Sequence, residues 1–360
     1  MSEYQIRREE DASFENGDQD QPIPPIDIVA FNEQRSCADL FRMKISGKLE
    51  LQPDFQREEV WSSADKTRFI DSLVKQLPIP SMCFSLDYKT QKWKVIDGLQ
   101  RMTSIVKFLS DADWRLSNLT DIHPKLSGTK NTGLKQGDEE CRRLYSRVED
   151  LTIPITVIRC DYAQKSHMNY LFTIFHRLNS GGVRLNNQEI RNCIYSGEFN
   201  STLKEFDSKN LDWQSVKSRI LGNMHRFKSI EVLLRVLAFG DRRDEYDGNL
   251  AKFLNTYMHE RTNDLEGLND SIVALGEVAL ISNKILKNER TKKLPLMVIE
   301  ALLVALYVHR GSIGSRSEEQ MMGAYKHLLS LEAFSDKARY DVSSQSNVKA
   351  RLDAAVGAFA

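Results

Sequence analysis

Asp97, Gly98, Gln100 and Arg101 lie in one short stretch, Lys92-Trp93-Lys94-Val95-Ile96-Asp97-Gly98-Leu99-Gln100-Arg101-Met102-Thr103-Ser104-Ile105. A carboxylate can hold Mg2+ or position a water, an amide can donate or accept, and a guanidinium offers a fork of donors that fits a phosphate. The apolar residues around them indicate how they are held. Trp93 and Val95 alternate as in a strand, while Leu99, Met102, Ile105, Val106 and Leu109 recur at helical spacing, so Gly98 marks a strand, turn and helix in succession. The first amides of such a helix lack intrahelical partners and carry the positive end of its dipole, which favours an anion. The same residues also fit a plain turn, in which Asp97 and Gly98 only reverse the chain and Arg101 pairs with a carboxylate.

Two further clusters combine cations with special backbone residues. Pro53-Asp54-Phe55-Gln56-Arg57-Glu58-Glu59-Val60-Trp61 places an aromatic on either side of a Gln-Arg pair. Phe55 and Trp61 read as core plugs, which leaves Gln56 and Arg57 free to meet a ligand. The second cluster runs from Leu171 to Asn192. Leu171, Ile174, Phe175 and Leu178 make a helical stripe that Asn179-Ser180-Gly181-Gly182 breaks, and Asn186 can cap a second helix with Glu189 as its capping-box partner. Capping accounts for Asn186 and Glu189. Arg177, Arg184 and Arg191, around the Gly181-Gly182 loop, could instead line a phosphate or a DNA backbone.

The elements that must position these groups follow from periodicity. Residues 1–25 are acidic, polar and poor in large apolar side chains, as a disordered tail would be. Cys37, Leu40, Phe41 and Ile45 share a helical face that Gly47 closes, and Phe69, Ile70, Leu73, Val74 and Leu77 form a core-facing helix capped at Ser62 or Ser63 and stopped by Pro78 and Pro80. Met82–Leu86 and Gln91–Ile96 read as strands around Asp87-Tyr88-Lys89-Thr90. The apolar pattern dissolves between Leu109 and Glu149, which predicts a polar insertion or flap over about 110–150; its Asp121-Ile122-His123-Pro124 is ordinary surface, because a lone histidine without partners makes no nuclease site. Ile153, Ile155 and Val157 give one more strand, with Pro154 at its start or on a sheet edge. From Ser201 onward the pattern is helical, including Ile230 to Leu237, ended by Gly240, and Leu294 to Tyr307. The expected fold is α+β: a mixed α/β domain over 26–200 and an irregular all-helical domain over 201–360. Phe55, Trp61, Phe69, Leu73, Val95, Ile105, Val106, Ile155, Phe175 and Leu178 are its candidate core.

Composition narrows the functional classes. Lys+Arg 50 against Asp+Glu 50 gives zero formal charge, so any contact with DNA must come from a local patch rather than a global field. Cys37, Cys83, Cys141, Cys160 and Cys193 stand singly with no CxxC pair, which argues against a zinc site or a disulfide framework and for a reducing cytoplasm. No apolar signal core opens the chain, and the run from Leu294 to Val308, interrupted by Glu300, is shorter than the ~20 residues of a membrane span. A soluble cytoplasmic protein with no membrane partner is expected.

Taken together, three motifs resemble the GmrSD-type restriction endonuclease N-terminal domain, within the wider ParB/sulfiredoxin-like group. They are Pro53-Asp54-Phe55-Gln56-Arg57 with Trp61, Ile96-Asp97-Gly98-Leu99-Gln100-Arg101, and Phe175-His176-Arg177-Leu178-Asn179-Ser180-Gly181-Gly182 followed by Leu185-Asn186 and Glu189-Ile190-Arg191. Leu99 stands where the family's signature has Gln. The resemblance implies a ParB/sulfiredoxin-like fold and a nucleotide-binding, NTP-hydrolysing module of a bacterial system that restricts foreign or modified DNA. Gln56, Arg57, Gly98 and Arg101 would bind the nucleotide, Asp97, Gln100 and Arg101 would act in catalysis, and Asp97 would hold Mg2+. Arg177, Asn179, Gly181, Gly182, Arg184 and Arg191 are secondary candidates. The base, whether of GTP, ATP, CTP or UTP, is left open. DNA and a separate nuclease are the implied partners, because the last part of the chain shows no His-rich cluster of the kind an HNH nuclease needs; a homo-oligomer is compatible. The alternatives are a nucleotide-gated DNA-binding switch without significant hydrolysis and a nuclease acting alone.

Overall fold

The computed structural model describes residues 25–51, 61–178, 185–220, 227–262, 264–287, 294–334 and 344–360. Residues 1–24 of the proposed acidic tail lie outside them. The chain divides into two compact units, one over Pro24–Leu185 and one that takes in Asn186–Ala360.

The first unit holds a five-stranded mixed sheet in the order β1-β5-β3-β4-β2. Its strands are β1 (Val29–Ser36), β2 (Leu49–Glu50), β3 (Met82–Asp87), β4 (Trp93–Asp97) and β5 (Thr152–Cys160). Its helices are α1 (Cys37–Ile45), α2 (Ser63–Val74), α3 (Leu99–Leu109), α4 (Asn131–Gln136), α5 (Glu139–Asp150) and α6 (Lys165–Leu178). β1/β5 and β3/β4 pair antiparallel, whereas β3/β5 and β2/β4 pair parallel. Alternation along the strands sends Met82, Phe84, Leu86, Trp93, Val95, Ile153, Ile155 and Val157 to one face, where they join the buried stripes of α1, α2, α3 and α5 in a single cluster.

Local chemistry explains the element ends. Ser62 caps α2 with a complete capping box to Asp65, and Gly47 follows α1 with φ +69°. Pro154 does not sit on an edge strand, because β5 is flanked by both β1 and β3. It sits at the strand start instead: Pro154 pairs with Gln34 on β1, and the β3 ladder begins one residue later at Ile155 opposite Met82, so the missing N–H costs little.

Residues 110–150 are more than a polar insertion. Trp114, Leu116, Ile122, Leu126 and Leu134 are buried in the main cluster, and Leu144, Tyr145 and Val148 line one side of α5. Their apolar residues are spaced by loops and short helices, so no single period reveals them. Asp121 pairs with Arg68 at 2.9 Å and the His123 amide donates to Asp71 at 2.8 Å, which gives that tetrapeptide a structural role.

Among the expected core residues, Phe69, Leu73, Val95, Ile105 and Ile155 are buried in the cluster, while Trp61 and Val106 pack on it partly buried. Phe175 is buried outside that cluster. Leu178, the last residue of α6, is 48% exposed. Phe55 lies outside the described residues.

The second unit is helical throughout its described residues: α7 (Asn187–Ile194), α8 (Glu198–Lys209), α9 (Leu211–Ile220), α10 (Lys228–Arg242), α11 (Leu250–Arg261), α12 (Leu265–Leu286), α13 (Leu296–Ile313), α14 (Glu318–Ser330) and α15 (Gln345–Ala358). The expected architecture, α+β followed by helices, is the one observed. Gly240 does not stop α10. The helix runs through it to Arg242, and a Cβ there would come within 2.2 Å of the Tyr307 ring, so the glycine serves close helix packing. α13 is the one described helix long and apolar enough to cross a membrane by composition, and most of it is buried inside the unit.

Candidate functional site

β4 delivers the chain to Asp97, and Gly98 turns it at φ +95° and ψ 16° into α3. An L side chain is strained in that region, and a Cβ on Gly98 would also lie 2.5 Å from Cγ of the fully buried Met82. Glycine is therefore required by backbone and packing alone. Because Gly98 has no side chain, the amides that open α3 receive no side-chain cap; the first intrahelical bond is from Met102 N–H to the Gly98 carbonyl at 2.8 Å. These uncapped amides make the start of α3 receptive to an anion.

Asp97 and Arg101 flank that start. Arg101 Nη2 donates to Asp97 Oδ2 at 2.7 Å, with the arginine side chain 14% exposed and the aspartate 45% exposed. Arg101 Nη1 donates to the carbonyls of Pro80 and Ser81, in the segment that leads into β3. Burial lowers the pKa of the guanidinium while Asp97 opposes that shift, so the ion pair is what keeps a half-buried charge tolerable. Of the two sequence alternatives for Arg101, pairing with a carboxylate is thus realised, and the carboxylate is Asp97 itself. Asp97 Oδ1 makes no hydrogen bond among the described residues and remains open to a metal ion or water. Gln100, half-exposed, uses its backbone carbonyl to accept from the Thr103 and Ser104 hydroxyls.

Cys83 pairs with Asp97 across the sheet, at the point where β3 shifts register. Burial and the neighbouring Asp97 push its thiol up to about 12, so it stays protonated and is a poor metal ligand at neutral pH. Among the described residues no group of three or more His, Cys, Asp or Glu side chains converges as a metal site.

The other sequence candidates are distributed differently. Gln56, Arg57, Asn179, Gly181, Gly182 and Arg184 lie outside the described residues. Of the described residues on either side of Gln56 and Arg57 in sequence, Leu51 is buried directly after β2, and Trp61 packs edge-on against Phe69 with ring centroids 5.6 Å apart. β2 runs parallel to β4 with Glu50 opposite Lys94. Arg177 is exposed in the last turn of α6 and has interaction partners of its own. Arg191 is 1% exposed inside the helical unit, where it donates to Asn255 at 2.9 Å and to Gln188 and Glu231 at 3.2 Å. That placement makes it a brace between α7, α10 and α11 rather than a group facing a DNA backbone.

Residues 37–196 match a family model described as GmrSD restriction endonuclease, N-terminal domain. This segment belongs to that family. The match spans the Asp97–Arg101 turn and ends just after α7, and it places the GmrSD-type domain in the setting of DNA restriction. No curated protein and no solved structure matches the chain.

Sequence reasoning did not anticipate two buried polar constellations. His167, fully buried, accepts the Asp161 N–H at Nδ1 (2.9 Å), so Nε2 carries the proton that meets Asp27 Oδ1 at 2.9 Å and ties the start of β1 to α6. In the helical unit Glu231 takes Arg191 and Arg235, while Glu300 takes Arg235 (3.1 Å) and Arg351 (3.7 Å). The signal was present in part: Glu231 and Arg235 are four apart amid Ile230, Val232, Leu233 and Leu234, and Glu300 interrupts the longest apolar run.

Proposed function

We propose that the GmrSD-type domain binds a nucleoside triphosphate with Mg2+ at the Asp97–Arg101 turn and hydrolyses it, and that turnover licenses a partner nuclease against foreign or modified DNA. The observation that carries this reading is the uncapped start of α3 beside a half-exposed carboxylate with one free oxygen. The chemistry of these groups fits a magnesium-bound polyphosphate: amides and a dipole for phosphate oxygens, a hard oxygen for the cation. Mg2+ would supply charge neutralisation between phosphate oxygens. Asp97 Oδ1 would hold the cation or a water, and Gln100 would orient that water by donating or accepting at its amide. Arg101 would fix Asp97 and shift part of its hydrogen bonding to phosphate. Gln56 and Arg57 join the same site in this proposal on the strength of the family resemblance, and Leu51, the last described residue before them, follows a strand that runs parallel to β4.

A second reading is favoured by the Arg101–Asp97 pair itself. A phosphate could compete with Asp97 for the guanidinium and so change the turn without any hydrolysis, which would make the domain a nucleotide-gated DNA-binding switch. Phosphate release from each of GTP, ATP, CTP and UTP, with and without DNA, separates the two. Hydrolysis by the parent that Asp97→Asn abolishes while nucleotide still binds supports the NTPase. Equal, negligible release by both, with nucleotide still altering DNA affinity, supports the switch. No binding of any NTP by the parent overturns both.

A further inference from the structure

Among the described residues α12 is packed on one side and exposed on the other. Along its outer side Glu266, Asp270, Val273, Glu277, Leu280, Lys284 and Lys287 are exposed, and Val273 and Leu280 are 63% and 43% exposed although both are large and apolar. They stand one heptad apart, on the spacing that two helices use to interlock. Gly276 lies between them, and a Cβ built there meets nothing within 4 Å, so a second backbone can approach closely at that point.

The charges along the seam are ordered. Glu266 and Asp270 occupy its N-terminal half, and Lys284 and Lys287 its C-terminal half. A partner must therefore present the reverse order, and an antiparallel copy of the same helix does so. With a two-fold axis between Gly276 and Glu277, Val273 faces Leu280 of the second copy and Glu266 faces Lys287, Asp270 falls opposite Asn283 with Lys284 one residue along and within reach, and the two Glu277 side chains come together near the axis over the open Gly276. Every apolar residue of the seam then meets an apolar residue, and each of the four end charges meets its opposite.

We infer that the outer side of α12 is a self-association surface through which two copies of this chain pair antiparallel. The seam spans one helix about 33 Å long, with two apolar residues per copy, so the interface lies at or below the small end of stable interfaces. The dimer is accordingly weak and reversible.

Sedimentation velocity of the full chain over ~1–200 µM, a range suited to a small interface, tests this. The parent is expected to shift toward dimer as concentration rises. Leu280→Asp, and separately Asp270→Lys and Lys284→Asp, are expected to stay monomeric across the range with unchanged thermal midpoints, since all three positions are exposed. Mixing Asp270→Lys with Lys284→Asp is expected to restore dimer, because that mixture returns each cation to a carboxylate. A parent that stays monomeric at the highest concentration overturns the proposal. So does a Leu280→Asp variant that dimerises like the parent, or a charge-swapped mixture that does not recover.

Discussion

Arg101 donates from Nη2 to Oδ2 of Asp97 at 2.7 Å, so the two charged residues of the strand-to-helix turn hold each other across Gly98. The pair performs two jobs. It offsets the desolvation of the largely buried guanidinium, and it leaves the other carboxylate oxygen without a hydrogen bond among the described residues, beside the uncapped amides of α3.

That coupling sets the first expectation. Arg101→Ala removes the partner of Asp97 and leaves the Pro80 and Ser81 carbonyls without a donor, which should lower stability by about 1–3 kcal/mol in urea unfolding. If the turn binds polyphosphate, the same variant should also lose about one to two decades of nucleotide affinity, measured calorimetrically well below its unfolding transition. Asp97→Asn should destabilise less, because Asn can still accept from Arg101, and should bind nucleotide nearly as the parent does while releasing little phosphate. Loss of affinity in Asp97→Asn equal to that in Arg101→Ala would show that the charge of Asp97 serves binding rather than turnover.

Gly98→Ala is expected to cost about 1–3 kcal/mol. Two causes add: φ +95° is disfavoured by any Cβ, and that Cβ would press on Met82. Shortening Met82 in the background of Gly98→Ala should recover only the packing part. Full recovery would mean that the left-handed backbone carries no strain there.

The helical unit should lose stability in acid through Glu231. Burial by itself would raise its pKa, but Arg235 and Arg191, with Lys228, prevail and pull it down to about 2. A carboxylate depressed below its ordinary value near 4.5 contributes stability that is complete above that value and is lost as pH falls from 4.5 toward 2. The slope should amount to a few kcal/mol at most. Glu231→Gln should be less stable than the parent at pH 7, since it leaves two buried guanidinium groups short of a counter-charge, and should show a shallower decline below pH 4.5 in acid titrations followed by circular dichroism.

His167→Ala should loosen one end of β1. It removes the acceptor of the buried Asp161 amide and the donor to Asp27, so hydrogen exchange at Asp161 and at the Val29–Phe31 amides should accelerate by about tenfold or more, while the amides of β3 and β4 keep their protection. Uniform acceleration across the sheet would indicate global destabilisation instead.

Sequence patterning determined a large part of this. Period-two runs at Trp93 and Val95, the helical stripes of α2 and α3, and the Ser62 and Asn186 caps are local features, because hydrogen bonding and side-chain direction within one element depend on neighbours a few residues away. The same locality made the Asp97–Arg101 turn visible. The segment over 110–150 was not legible, since its buried residues follow no single period and gain meaning only against the sheet. Gly240 was misread, and Pro154 was left open between a strand start and a sheet edge, for the same reason: a glycine in a helix or a proline in a strand has a meaning set by what lies across from it, Tyr307 in one case and the start of the β3 ladder in the other.

The tertiary structure alone decided which charges are interior. Arg177 and Arg191 look equivalent along the chain, yet Arg177 is exposed and Arg191 is enclosed by Asn255, Gln188 and Glu231. Their difference arises from pairings 40 and 64 residues away in sequence, which no local pattern encodes. Arg101 is the intermediate case. Its i,i+4 spacing from Asp97 is written in the sequence, but the carbonyls of Pro80 and Ser81 that receive its remaining donors are brought to it only when β3 and β4 pair.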